Sequence, residues 1–264
     1  MKILKDFKRY LKINGYPKNT IKNYISRINN LLKEIPYPEL NQKRIENFIL
    51  KLRKTKKANT VNSYILVIDK FMKFIKNPFD KPKMAKKENK LPEYISLEYL
   101  EQEIMPMIEL EFLDELRIKA LLYFMFFTGL RQGEIFRIKR KDIDLNKKIV
   151  TVYQPKVSKE KKIPIPKKLT KILETYFEKS EEKENAFNLK KYSINHIMKR
   201  LKPFAKGINL HPHIFRSSYC MHLIKKDIPI NFVQKLLGHS NIATTMIYAQ
   251  ANFDDIQEEI DKKL

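Results

Sequence analysis

The chain has 264 residues, 43% of them hydrophobic with 16 Phe and 13 Tyr, which is ample apolar material for a core and excludes global disorder. Its formal net charge is +24, from 54 Lys/Arg against 30 Asp/Glu, a field that attracts polyanions. The single cysteine, Cys220, excludes an intramolecular disulfide framework and a Cys-rich zinc site and fits a reducing cytoplasm.

Residues 1–76 predict helices. Phe7, Tyr10 and Leu11 fall at helical spacing, and a break follows at Asn14-Gly15-Tyr16-Pro17. Ile21, Tyr24, Ile25, Ile28, Leu31 and Leu32 form a second apolar stripe, and Ile45, Phe48, Ile49 and Leu52 a third. A fourth runs through Val61, Tyr64, Ile65, Ile68, Phe71, Met72 and Ile75, so that four helices can close a small bundle. Residues 77–92, NPFDKPKMAKKENKLP, carry three prolines, five lysines and no periodic stripe, the composition of an extended linker.

From Glu93 to Leu264 a second domain is expected. Ser96 can cap a helix through Leu100 and Ile104. The apolar run Ala120–Phe127 is far short of the ~20 residues of a membrane span and predicts a buried helix ending near Gly129. Ile149–Tyr153 and Lys162–Ile165 predict two short strands around a basic turn. Helices are expected at about 168–178 and 192–205, and another from Pro229 with Phe232, Val233, Leu236 and Leu237 as its stripe and Gly238 at its end. The tail 252–264 places Phe253, Ile256 and Ile260 on one face of an acidic amphipathic helix. The fold class is therefore mainly α with a small antiparallel β sheet. The opening MKILKDFKRYLKI has neither an uninterrupted apolar region nor a small-residue cleavage site, so no secretory signal is expected.

The positive charge is uneven. Residues 1–90 hold 24 Lys/Arg and 7 Asp/Glu, net +17, whereas 91–264 hold 30 and 23, net +7. Compositional bias of a lysine-rich proteome would spread along the chain. A concentrated excess suits a duplex whose phosphates release counterions to lysine.

The polar residues with chemistry to offer cluster late. Arg131 stands in Thr128-Gly-Leu-Arg-Gln-Gly-Glu-Ile135. A guanidinium holds a phosphate bidentately and stays charged. Read alone it is a solvated or ion-paired residue, and Glu134, three residues on, is its natural partner. Lys156, Lys159, Lys161 and Lys162 crowd the basic turn, and residue chemistry alone does not choose among them. His213 and Arg216 are spaced to share a helix face, with a group able to take a proton near neutral pH beside a phosphate clamp. Leu237-Gly238-His239 follows, then Tyr248 nine residues after His239. A phenol needs a proton acceptor and a positive field before it attacks phosphate. The carboxylates form no cluster suited to a two-metal nuclease, so neither metal nor cofactor is expected.

The order H-x-x-R, L-G-H, Tyr, preceded by TGLRQGEI, resembles the catalytic boxes of tyrosine site-specific recombinases, most closely the short Xer-like members. Gly15–Tyr24 also resembles the opening of their core-binding domain. The resemblance covers nearly the whole chain and is specific in about 60 residues of its C-terminal half. It implies a helical core-binding clamp (1–76), a linker (77–92) and a catalytic domain (93–264). Tyr248 would be the nucleophile, Arg131, Arg216, His213 and His239 would hold and activate the phosphate, and Glu134 would support them. Pro155–Pro164 resembles the family's G-K-G-x-K-x-R-x-x-P, which places Lys156 as the general acid and leaves Lys159 and Lys161 as DNA-binding residues. This chain has Pro155 and Val157 where the family has glycines, and Ser217 where a further histidine is common.

The implied reaction passes through a 3′-phosphotyrosine and a Holliday junction, with double-stranded DNA as partner and four protomers on two sites. Helix 252–264 would dock on a neighbouring protomer, a regulatory protein could take part, and the enzyme would work in the cytoplasm on the nucleoid, without a membrane. Xer-like resolution of chromosome or plasmid multimers is the leading expectation. A mobile-element integrase, a type IB topoisomerase and a catalytically silent architectural DNA-binding protein are the rivals.

Overall fold

The computed structural model describes residues 2–86, 92–111, 114–154, 159–182, 184–189 and 194–238. The chain divides into two compact units, Met1–Asn89 and Lys90–Leu264. Among the described residues no helix is long and apolar enough to cross a membrane.

The first unit contains α1 (Lys2–Ile13), α2 (Lys18–Glu34), α3 (Gln42–Thr55) and α4 (Ala58–Phe74). Each buries the stripe its periodicity predicts: Phe7 and Leu11; Ile21, Ile28, Leu31 and Leu32; Ile45, Phe48 and Ile49; Val61, Ile65, Ile68, Phe71 and Met72. Phe7 meets Phe71 edge-on with ring centroids 5.0 Å apart, which locks the first helix to the fourth. The Asn41 side chain caps α3 by accepting the Arg44 N–H at 3.0 Å.

The segment read as a linker has no helix or strand over 77–86, yet it is fastened to this bundle. The Asn77 amide donates to the Leu40 carbonyl at 3.1 Å. Gln42 both donates to the Asp80 carbonyl and accepts its N–H, each at 3.0 Å. Asn62, buried on α4, does the same for Ala85 at 2.9 and 2.8 Å. Backbone groups in an extended strand need partners. Here helix-borne side-chain amides supply them, a role that composition does not reveal.

The second unit is built around α7 (Glu115–Thr128), which is buried on nearly every side, as its uniformly apolar sequence requires. It packs on α9 (Lys167–Lys179) and α11 (Pro212–Ile224). Before it come α5 (Leu97–Tyr99), a π-helical turn Leu100–Ile104 and α6 (Met105–Glu111), and Ser96 caps this run by accepting the Tyr99 N–H at 3.0 Å. After it come α8 (Gln132–Ile135) and a three-stranded antiparallel sheet of β1 (Ile143–Asp144), β2 (Ile149–Gln154) and β3 (Lys159–Pro164), in that order. β1 was not anticipated: two residues are too few for any pattern to register. α10 (Ile194–Leu201) and α12 (Ile230–Leu237) complete the described α-helices. On α12 Val233 and Leu237 are buried, whereas Phe232, expected in the stripe, is 55% exposed. The tail 252–264 lies outside the described residues.

Replacing Asn62 by alanine removes both bonds to Ala85 and should destabilise the first unit by about 1–3 kcal/mol. A lower urea midpoint and faster tryptic cleavage at Lys83 and Lys86 are the expected readouts; unchanged proteolysis would show that Asn62 does not hold the strap.

Candidate active site

α7 ends at Gly129 and α12 at Gly238, each glycine in the left-handed region at φ 58° and 65°. There a Cβ is costly, and it closes a helix by turning the chain away. At Gly129 a Cβ would also overlap the ring of Tyr219, a buried residue of α11. These two endings leave carbonyls facing a common point, because the last carbonyls of a helix have no intrahelical donor.

Arg216 fills that point. It projects from α11, is buried, and donates from Nη1 to the Gly129 carbonyl at 2.7 Å and from Nη2 to the Leu237 carbonyl at 2.6 Å. A guanidinium out of water is tolerated only where acceptors receive its donors, and helix C-termini add a favourable partial negative charge. The first of these bonds spans 87 positions of sequence and brings Arg216 beside the turn that carries Arg131.

Arg131 directly precedes α8. Its backbone N–H donates to the Glu134 carboxylate at 2.7 Å, and its Nη1 stands 3.4 Å from the other oxygen of the same group. Glu134 is 8% exposed, so the pair is not a solvated surface contact. The carboxylate orients the arginine through backbone and side chain together, while the Arg131 side chain remains 45% exposed and able to meet a ligand.

His213 lies one turn before Arg216 on α11 and is exposed. Desolvation of its ring, then the charges of Arg216, His211 and Arg131, hold its pKa below the ordinary histidine value. That shift favours the neutral imidazole, the form able to accept a proton. His211 and His222 have structural parts. His211 caps α11, its Nδ1 accepting the Ile214 N–H at 3.2 Å, and His222 meets the edges of Phe126 and Phe127. Ser217 is buried; Ser218 takes the Ile95 N–H on Oγ at 2.9 Å and donates to the Ile214 carbonyl, tying the entry of the unit to α11.

Lys161 is the residue the sequence reading undervalued. The groups acting on its ammonium are burial, Arg216, Glu134 and Arg131. Burial and Arg216 pull its pKa down to about 8, Glu134 opposes them and Arg131 adds to them. A signal was present: Ile163 and Ile165 are apolar at period two, and Lys161 continues that face whereas Lys162 lies on the other. The structure therefore brings Arg131, Glu134, His213, Arg216 and Lys161 together. Lys156, His239 and Tyr248 lie outside the described residues, as does the side chain of Lys159.

Two arginines oriented by hydrogen bonds, a histidine biased toward its neutral form and a lysine form a site for an oxyanion such as a phosphate diester. Comparison with known proteins gives the same class. The chain belongs to the phage integrase family, whose model matches residues 99–255. It is 27% identical to the tyrosine recombinase XerA of Pyrococcus furiosus over 98% of this chain and 93% of that one. It is 28% identical to the tyrosine recombinase XerC of Staphylococcus epidermidis over 97% and 95%. Among solved structures it shares its fold with a Tn1549 transposon integrase in complex with transposon right end DNA (16% identity, TM-score 0.73, 98% of each chain). It shares it also with a lambda integrase dimer bound to a core site (18% identity, TM-score 0.74, 94% of each chain). Within the family it is an Xer-like tyrosine recombinase, an enzyme of site-specific recombination that cleaves and rejoins DNA.

Gly129→Ala combines left-handed strain with overlap on Tyr219 and should cost about 2–4 kcal/mol. It should also displace the carbonyl that holds Arg216. Urea unfolding checks the first, with a lower midpoint at unchanged slope; cleavage activity falling further than the folded fraction checks the second.

Proposed function

We propose that Tyr248 attacks a DNA phosphate held between Arg131 and Arg216, forming a 3′-phosphotyrosine and releasing a 5′ hydroxyl. The observation that carries this reading is Arg216 anchored to the Gly129 carbonyl, beside Arg131, with Glu134 setting the second guanidinium. Fixed donors aimed at the nonbridging oxygens stabilise the charge that accumulates as the fifth oxygen arrives, and they need no rearrangement to do so. His213 takes the phenolic proton, His239 donates to a nonbridging oxygen, and Lys156 protonates the leaving 5′ oxygen, as the family's boxes imply. A 5′ hydroxyl from a second duplex then reverses the step, so bond energy is conserved through a Holliday junction.

The biological reading is resolution of chromosome or plasmid multimers by four protomers on two sites, supported by the full-length likeness to XerA and XerC. The acidic tail 252–264, set against a chain of net charge +24, suits docking on a neighbouring protomer better than contact with DNA. The N-terminal unit, with its lysine excess, would clamp the duplex.

Covalent trapping tests the chemistry. The protein is incubated with sheared DNA from its source in EDTA, quenched in SDS, and the DNA that migrates with protein is sequenced. The expected result is an adduct at one sequence that disappears with Tyr248→Phe; an adduct that survives would place the nucleophile elsewhere. The pH profile tests the proton acceptor. With the pKa of His213 held below the ordinary 6.5, its neutral form persists to lower pH. Cleavage should therefore decline only as pH falls through that lowered value. An acid limb at or above pH 6.5 would remove His213 from this role.

A further inference from the structure

Two observations separate Lys161 from the exposed lysines of the hairpin. The first is register. In the β2–β3 ladder Ile163 faces Val150, Lys162 faces Thr151 and Lys161 faces Val152. Side chains alternate between the faces of a strand. Val150, Val152 and Ile163 are all buried, so Lys161 is delivered to the inward face, while Lys162 is exposed. The second is where its ammonium arrives. A Cβ built on Gly238 would stand 4.0 Å from Lys161 Nζ and 3.4 Å from Gln154 Nε2. The ammonium is thus at the C-terminal end of α12, where the Leu237 carbonyl receives Arg216.

The charges acting on it are Arg216, Glu134 and Arg131. Three cations share a pocket with one carboxylate, and that carboxylate is already engaged with Arg131. Like charges drawn together out of water raise one another's energy. Burial first, and then Arg216 and Arg131 against the opposing Glu134, hold the Lys161 pKa down to about 8. The cost is recovered when an anion enters.

We infer that Lys161 is a further catalytic residue, whose ammonium donates to a nonbridging oxygen of the scissile phosphate as a third fixed positive charge beside Arg131 and Arg216. This rests on the reading that the scissile phosphate sits between the two arginines. The role is distinct from that of Lys156. A nonbridging oxygen keeps its bond to phosphorus throughout, so Lys161 gives up no proton, and its contribution is charge and hydrogen bonding alone. An ammonium serves there because it is compact and strongly hydrated when exposed but a single-point donor once the site closes.

The test combines a readout without catalysis and one with it. Amine acylation followed by mass spectrometry is run with and without orthovanadate, a trigonal-bipyramidal phosphate mimic, with Lys162 on the opposite face as internal control. Lys161 should be protected and Lys162 not; equal labelling of Lys161 in both conditions overturns the inference. Covalent adduct formation is then measured on the trapped DNA sequence with oxygen or with sulfur at the bridging 5′ position. Lys161→Met should slow it on the order of 10²-fold on both substrates. Lys161→Arg should recover most of the loss, and Lys162→Met should have no effect. Recovery of Lys161→Met by bridging sulfur would show that Lys161 is the proton donor and overturn its assignment to the nonbridging oxygen, as would an unchanged rate. Should the wild-type protein form no adduct at all while vanadate still protects Lys161, the strand-cleavage reading fails and the phosphate contact of Lys161 stands.

Discussion

The Arg216 guanidinium, bonded at 2.7 and 2.6 Å to the carbonyls that close α7 and α12, is the interaction on which the catalytic unit depends. It joins the most buried helix of the domain to the helix that leads into the Leu237-Gly238-His239 box. Both carbonyls sit at left-handed glycine endings, so the same backbone conformation that stops each helix also presents its acceptor. A buried cation needs such acceptors to be stable. Once they hold two of its donors, the residue is aimed with little freedom left, which is the preorganisation that phosphoryl transfer rewards.

Arg131 is held by a different device for the same end. Glu134 binds both its backbone and its side chain within a four-residue helix, so the orientation of the arginine is set locally. Arg216 is set by long-range contacts and Arg131 by short-range ones. Their meeting requires α7 and α11 to pack, and the buried face of α7 secures that packing. The apolar core and the charged site are therefore one construction: the first fixes the helices whose ends make the second.

The electrostatics of the pocket follow from that crowding. Burial and positive neighbours push His213 and Lys161 in the same direction, toward their neutral forms. For a histidine that accepts a proton this is useful at once. For a lysine it stores a tension that a bound phosphate diester relieves, so free site and occupied site differ in the charge they favour. Selectivity for the bound state is drawn from such differences.

Much of this was legible in the chain itself. The four stripes of the N-terminal unit, the buried helix ending at Gly129, the Ser96 cap and the His213–Arg216 face are consequences of period, capping and glycine chemistry. These act over a few residues and survive in any context. The boxes around Arg131, Arg216, Leu237-Gly238-His239 and Tyr248 carried the family by their order alone. Tertiary structure decided the rest. It fastened residues 77–86 to the first bundle through Gln42, Asn62 and Asn77, and it left Phe232 exposed. It made Glu134 a buried anchor, and it selected Lys161 from a run of lysines. Those choices depend on which face a neighbour covers and which carbonyl a distant side chain can reach. Such distances are set by packing between elements far apart in sequence, and no local pattern encodes them.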